Sequence, residues 1–154
     1  MYLRRIIALC AAAILSVGCS GGSSGSGGGF GLIQFLESGQ NNIPRNRQLR
    51  FQFSQPVATG QDLFTRLRIQ NVNAVPGDSN FARAQGFYLL NGEMVVFTPR
   101  LPNKPDRSDA GFKEDGNYHV FMSGGPDGLQ STSGDTIPTQ QEFIFETNKF
   151  FEDV

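Results

Sequence analysis

The sequence predicts an all-β protein, a seven-stranded antiparallel β-sandwich, on three observations. Leu49, Phe51 and Phe53 alternate with Arg50, Gln52 and Ser54. That period of two marks a strand with one buried and one wet face. Asn91-Gly92 sits between two apolar runs, 87–90 and 93–97, a pattern that predicts a hairpin closed by a type I′ turn. Glycine (19) and proline (8) punctuate many short apolar runs, as turns between strands require, and no amphipathic helix of useful length interrupts them.

The elements follow in chain order. Residues 31–36 form a first strand, and 41–46, with Asn41, Asn42 and Pro44, a turn. The strand at 48–54 stops at Pro56, which has no N–H for a ladder. Residues 59–65, with Gly60 and Asp62, suit one helical turn before a strand at 66–70. Residues 75–80 are a loop. In the hairpin that follows, a loop made of Asn91 and Gly92 sets Leu90 opposite Glu93 and Tyr88 opposite Val95. Residues 100–116 form a long polar loop in which Phe112 is the one aromatic. A strand at 117–122, a glycine-rich turn at 124–128 and a strand at 142–147 complete the sandwich.

The segment before the sandwich has a different character. Arg4 and Arg5 precede an apolar run, 6–17, too short to span a bilayer comfortably, and residues 1–18 read as a signal peptide. Residues 20–29 are serine and glycine only, a flexible tether. The domain boundaries expected are therefore 1–18 for the signal peptide, 19–29 for Cys19 and the linker, and 30–154 for the sandwich. The chain has two cysteines, Cys10 and Cys19, and neither lies in the sandwich, so no disulfide or thiolate metal site is expected there. Removing residues 1–18 takes away Arg4 and Arg5 and no acid, and the formal charge moves from −1 to −3. A balance of that sign leaves no electrostatic footprint for nucleic acid.

Two resemblances add to this reading. Leu15-Ser16-Val17-Gly18-Cys19 resembles the lipobox of bacterial lipoproteins, which implies that Cys19 becomes an acylated N-terminus. Ser20, in place of an aspartate, implies the outer rather than the inner membrane. Phe-Gln-Phe-Ser-Gln-Pro-Val at 51–57, Val-Phe-Thr-Pro at 96–99, Gly-Asn-Tyr-His-Val at 116–120 and Phe-Ile-Phe-Glu-Thr at 143–147 together resemble the bacterial Ig-like domain of S-layer proteins. The likeness covers residues 32–147; the loop at 100–116 is longer and more charged than that family's. It implies an Ig-like sandwich acting as a spacer or adhesive module, and it carries over no catalytic residue.

The chemistry-bearing residues point the same way. Tyr118, Val120 and Met122 are placed inward by the strand period, which sets His119 and Phe121 outward. His119 is the single histidine. A general base needs a nucleophile and an orienting group nearby, and the sequence proposes neither, so the expectation is no enzyme, no cofactor and no metal. Tyr118 is expected in the core, its hydroxyl tied to backbone as in the tyrosine corner of Ig-like sandwiches. Asp106, Asp109, Glu114 and Asp115 have no EF-hand spacing and are interleaved with Lys104, Arg107 and Lys113.

One feature breaks the alternation. The hairpin is apolar on both faces, with Phe87, Leu89, Met94 and Val96 on one and Tyr88, Leu90, Val95 and Phe97 on the other. Val95 and Phe97 are assigned to the core. Leu89, Met94, Val96, Phe121 and His119 become the candidate contact patch, unless Phe112, Phe150 or Phe151 folds over it. The expected function is a lipid-anchored envelope module with a structural, adhesive or protein-interaction role. It is held to the outer membrane through Cys19 and meets an envelope or surface protein. The alternative is a carbohydrate-binding or accessory module serving an envelope enzyme.

Overall fold

A computed structural model describes residues 29–73 and 83–152. The signal peptide, Cys19, most of the linker and the loop at 75–80 lie outside the described residues. Seven strands are present among those described: β1 (Leu32–Phe35), β2 (Leu49–Phe53), β3 (Leu67–Asn71), β4 (Gly86–Asn91), β5 (Met94–Pro99), β6 (Asn117–Met122) and β7 (Gln141–Glu146). They pair antiparallel in a four-stranded sheet, β1-β2-β5-β4, and a three-stranded sheet, β3-β6-β7. Lettered A to G along the chain, these are sheets ABED and CFG, the connectivity of the constant-type Ig sandwich. The fold is Ig-like.

Each inner face follows from strand alternation. Leu49, Phe51 and Phe53 on β2, and Val95 and Phe97 on β5, meet Leu67, Ile69, Tyr118, Val120, Met122 and Phe145 from the other sheet, all buried. Aromatic pairs fill the space between. Phe35 stacks on Phe51 at 4.5 Å and Tyr118 on Phe145 at 5.3 Å, within the range of favourable ring contacts. Each such ring withdrawn from water contributes about 1.5–3 kcal/mol.

The predicted helical turn is α1 (Leu63–Arg66). Asp62 caps it by accepting hydrogen bonds from the N–H groups of Phe64 and Thr65, which lie at an end with no intrahelical acceptors. Residues 125–127 make a single 3₁₀ turn rather than a simple reverse turn.

The hairpin forms, but with a register different from the one expected. Asn91 pairs with Met94, Leu90 with Val95 and Tyr88 with Phe97. The two-residue loop is therefore Gly92-Glu93. Gly92 has φ +60°, while Asn91 and Glu93 are not among the residues with positive φ. A glycine at the first central position is the signature of a type II′ turn, not the type I′ that Asn-Gly suggests. The shift carries β5 through Thr98 and Pro99, which pair with Phe87 and Gly86.

Two segments cross between the sheets and cover strand edges. After β1 leaves β2, Ile43 pairs parallel with Thr147 beyond β7. Its N–H reaches Glu146 O, and its carbonyl accepts from Asn148 N, both at 2.9 Å. On the other side Arg83 bridges Gln70, and Ala84 donates to Ile69 O at 2.9 Å, before the chain enters β4. An unpaired edge invites another strand. These crossings occupy part of β7 and of β3.

Candidate functional site

The outer face of the four-stranded sheet carries the surface that the sequence singles out. On β4 and β5 the inward residues are Val95 and Phe97, fully buried, with Tyr88 and Leu90 packed against the core. The alternation then turns Phe87, Leu89, Met94 and Val96 outward. Phe87 is 51% and Leu89 53% exposed; Met94 and Val96 are half-buried. Cross-strand register puts Leu89 beside Val96, with Arg50 and Gln52 of β2 beyond Val96 and Met94. The face is thus apolar toward the β4 edge and polar toward β2.

None of the three phenylalanines weighed as a cover lies there. Phe112 turns inward from its polar loop and is fully buried between the sheets, against Phe97, Tyr118 and Phe145 at 4.9–5.8 Å. Phe151 sits under the guanidinium groups of Arg45 and Arg107, each 4.9 Å from its ring centre. Phe150 is exposed.

The structure divides the candidate patch. His119 and Phe121 are outward on β6, as expected, but β6 belongs to the other sheet. They therefore lie on the opposite side of the sandwich from Leu89, Met94 and Val96. His119 Nδ1 pairs with Glu142, and the ring lies 5.8 Å from Phe121. Arg68 places its guanidinium 5.3 Å over Phe121. Phe121 is thus half-buried, with a cation over one face of its ring.

Tyr118 takes the role expected of it. It is buried, and its hydroxyl accepts from Lys113 N–H at 2.7 Å, five residues upstream. Burial pushes its pKa up to about 12. The acids of the long loop are engaged locally. Asp109 accepts from Asn103 N and Lys104 N and pairs with Arg100 at 3.1 Å, and Asp106 accepts from Ser108 N. Among the described residues no group of three or more His, Cys, Asp or Glu is arranged to hold a metal ion.

Two buried charges were not singled out by sequence. Arg45, 5% exposed, donates to Phe112 O at 3.0 Å and to Arg107 O at 2.9 Å. It fastens the long loop to the end of the sandwich, and burial lowers its pKa. Glu37, also 5% exposed, faces an open cleft of about 410 Å³ shared with Arg47 and Arg50, and burial raises its pKa. Neither residue has a sequence neighbour that marks it as buried.

No family model matches the sequence, and no curated protein matches it. Solved structures do. A fragment of native alpha-2-macroglobulin from Escherichia coli, spanning domains MG0-NIE-MG1, is similar over 79% of this chain, with 12% identity and a TM-score of 0.54. The native conformation of E. coli alpha-2-macroglobulin gives 13% identity and 0.53 over the same share. This chain spans 33% of the first and 6% of the second. The N-terminal part of the bacterial S-layer protein SbsC gives 15% identity, 79% of this chain, 24% of that one and 0.49. At such identity the macroglobulin likeness shows the fold.

Proposed function

We propose that this chain is a lipid-anchored module of a bacterial cell envelope that works by contact rather than by catalysis. Cys19, in its lipobox-like setting, provides the membrane attachment, and Ser20 favours the outer membrane. The serine-glycine run of residues 20–29 gives a root-mean-square reach of roughly 18 Å, from about 5–6 Å per square-root residue. The S-layer-type motifs favour a structural, adhesive or protein-interaction role for the sandwich.

The observation that carries the contact reading is the apolar strip of Phe87 and Leu89, left open by the chain's own loop and tail. A sandwich strand normally turns polar residues outward. His119 meets a carboxylate and a phenyl ring, which give a general base nothing to activate. Cell fractionation tests the anchor. Cys19→Ser is expected to leave the membrane fraction and to lose labelling by a fatty-acid probe, because acyl chains hold by about 0.8 kcal/mol per buried CH₂. A variant that still labels and stays with membranes contradicts the reading.

A further inference from the structure

We infer that the β4 edge is a pairing site for a second copy of this chain, joined antiparallel to its own β4 about a two-fold axis. The inference deepens the contact reading above and rests on it.

The first observation is the state of the edge. Phe53 N–H donates to Glu93 O at 2.8 Å, so residues 93, 95 and 97 direct their backbone groups to β2. Residues 94, 96 and 98 then direct theirs to β4, where they meet 91, 89 and 87. By the same alternation Gly86, Tyr88 and Leu90 turn their N–H and C=O groups away from the sheet. β4 ends the strand order, and no backbone partner for Tyr88 or Leu90 occurs on that side among the described residues.

The second observation is that the strand itself carries no protective residue. Natural edges are blunted by charge, proline, bulges or a covering segment. β4 reads Gly-Phe-Tyr-Leu-Leu-Asn, with no charge and no proline, and keeps unbroken register with β5. It carries Phe87 and Leu89, both more than half exposed.

The third observation is self-complementarity, which selects the occupant. Centred on Tyr88, antiparallel pairing sets Tyr88 opposite Tyr88 of the second copy and Gly86 opposite Leu90. These are residues with outward backbone groups, so each pair exchanges both N–H···O bonds. Phe87 falls opposite Leu89 in the non-hydrogen-bonded pairs, where side chains are closest. Each exposed apolar residue of one copy thereby covers that of the other, and no like charges meet. The contact is isologous and closes as a dimer, joining the two four-stranded sheets edge to edge.

The test uses the full chain in two differently tagged forms, one Phe87→Cys and one Leu89→Cys. The two are co-expressed, solubilised in mild detergent and oxidised with copper-phenanthroline, which joins directly facing thiols and not diagonal ones about 7–8 Å apart. The readout then depends neither on the compartment nor on Cys19, whose contribution the parent chain shows. The mixed pair is expected to give a dimer band at least about tenfold stronger than either variant alone. Adding Leu89→Lys to the Phe87→Cys copy is expected to abolish it while the chain keeps its β circular-dichroism spectrum, because in the single chain position 89 is open to solvent. Cross-linking no greater than the single variants overturns the inference, as does capture of a different protein at these positions. Cys19→Ser fractionation reads separately. A membrane-held chain with no dimer leaves the envelope reading standing alone.

Discussion

At the residue scale, stability rests on buried rings and a few fixed polar groups. Phe51 and Phe53 are fully buried, whereas Gln52 between them faces outward. Phe51→Ala and Phe53→Ala are each expected to cost about 3–5 kcal/mol in denaturant melts, and Gln52→Ala under about 0.5 kcal/mol. Equal costs at the three positions would contradict the strand's alternation. Tyr118 adds a pH dependence. Its folded pKa of about 12 lies above the ordinary tyrosine value of 10, so its contribution is complete below pH 10 and is lost as pH rises toward 12. Melts across that window are expected to show a decline that Tyr118→Phe lessens. Glu37 acts in the same sense at lower pH. Its raised pKa means that its contribution is complete below the ordinary glutamate value of 4.5 and falls as the buried carboxyl ionises. Glu37→Gln is therefore expected to raise the melting temperature at pH 7, by an amount that shrinks as pH drops below 4.5. An unchanged or lower melting temperature at pH 7 would mean that Arg47 and Arg50 outweigh the cost of burial.

At the element scale, the hairpin turn decides between two readings of one dipeptide. If Gly92-Glu93 is the loop, Gly92 holds the positive φ alone and Asn91 is an ordinary strand residue paired with Met94. Gly92→Ala is then expected to cost about 1–2 kcal/mol, and Asn91→Ala well under about 1 kcal/mol. A comparable loss at Asn91 would restore the type I′ turn. Period two was enough to read β2 and β6 from the sequence, because each has one continuous apolar face. It also placed Val95 and Phe97 inside and Tyr118 at the start of its strand. The hairpin register was not legible, because both faces are apolar and Asn-Gly permits a turn that tertiary pairing with β2 overrides. The direction of Phe112 was not legible either, since nothing in a loop of alternating charges says that its one ring enters the gap between Phe97 and Phe145. Arg45 and Glu37 were missed for a related reason. Their burial comes from segments more than sixty residues away for Arg45, and from the facing strand β2 for Glu37.

At the scale of the whole molecule, the sandwich has two outer faces of different character. The β3-β6-β7 face is mixed, with His119 engaged by Glu142, Phe121 under Arg68 and Ile144 exposed beside His119. The β4-β5 side exposes Phe87 and Leu89, and among the described residues the outward backbone groups of its edge strand have no partner. The candidate patch read from the sequence mixed residues of both faces, because strand alternation tells in from out but not which sheet a strand joins. We place contact on the β4-β5 side alone. Photo-cross-linking in intact cells tests this most directly, with a photoreactive phenylalanine analogue placed at Leu89 in one version of the full chain and at Phe121 in another. A contact surface confined to β4-β5 predicts a protein adduct from position 89 and none above background from position 121. Adducts from position 121 with none from position 89 would contradict it.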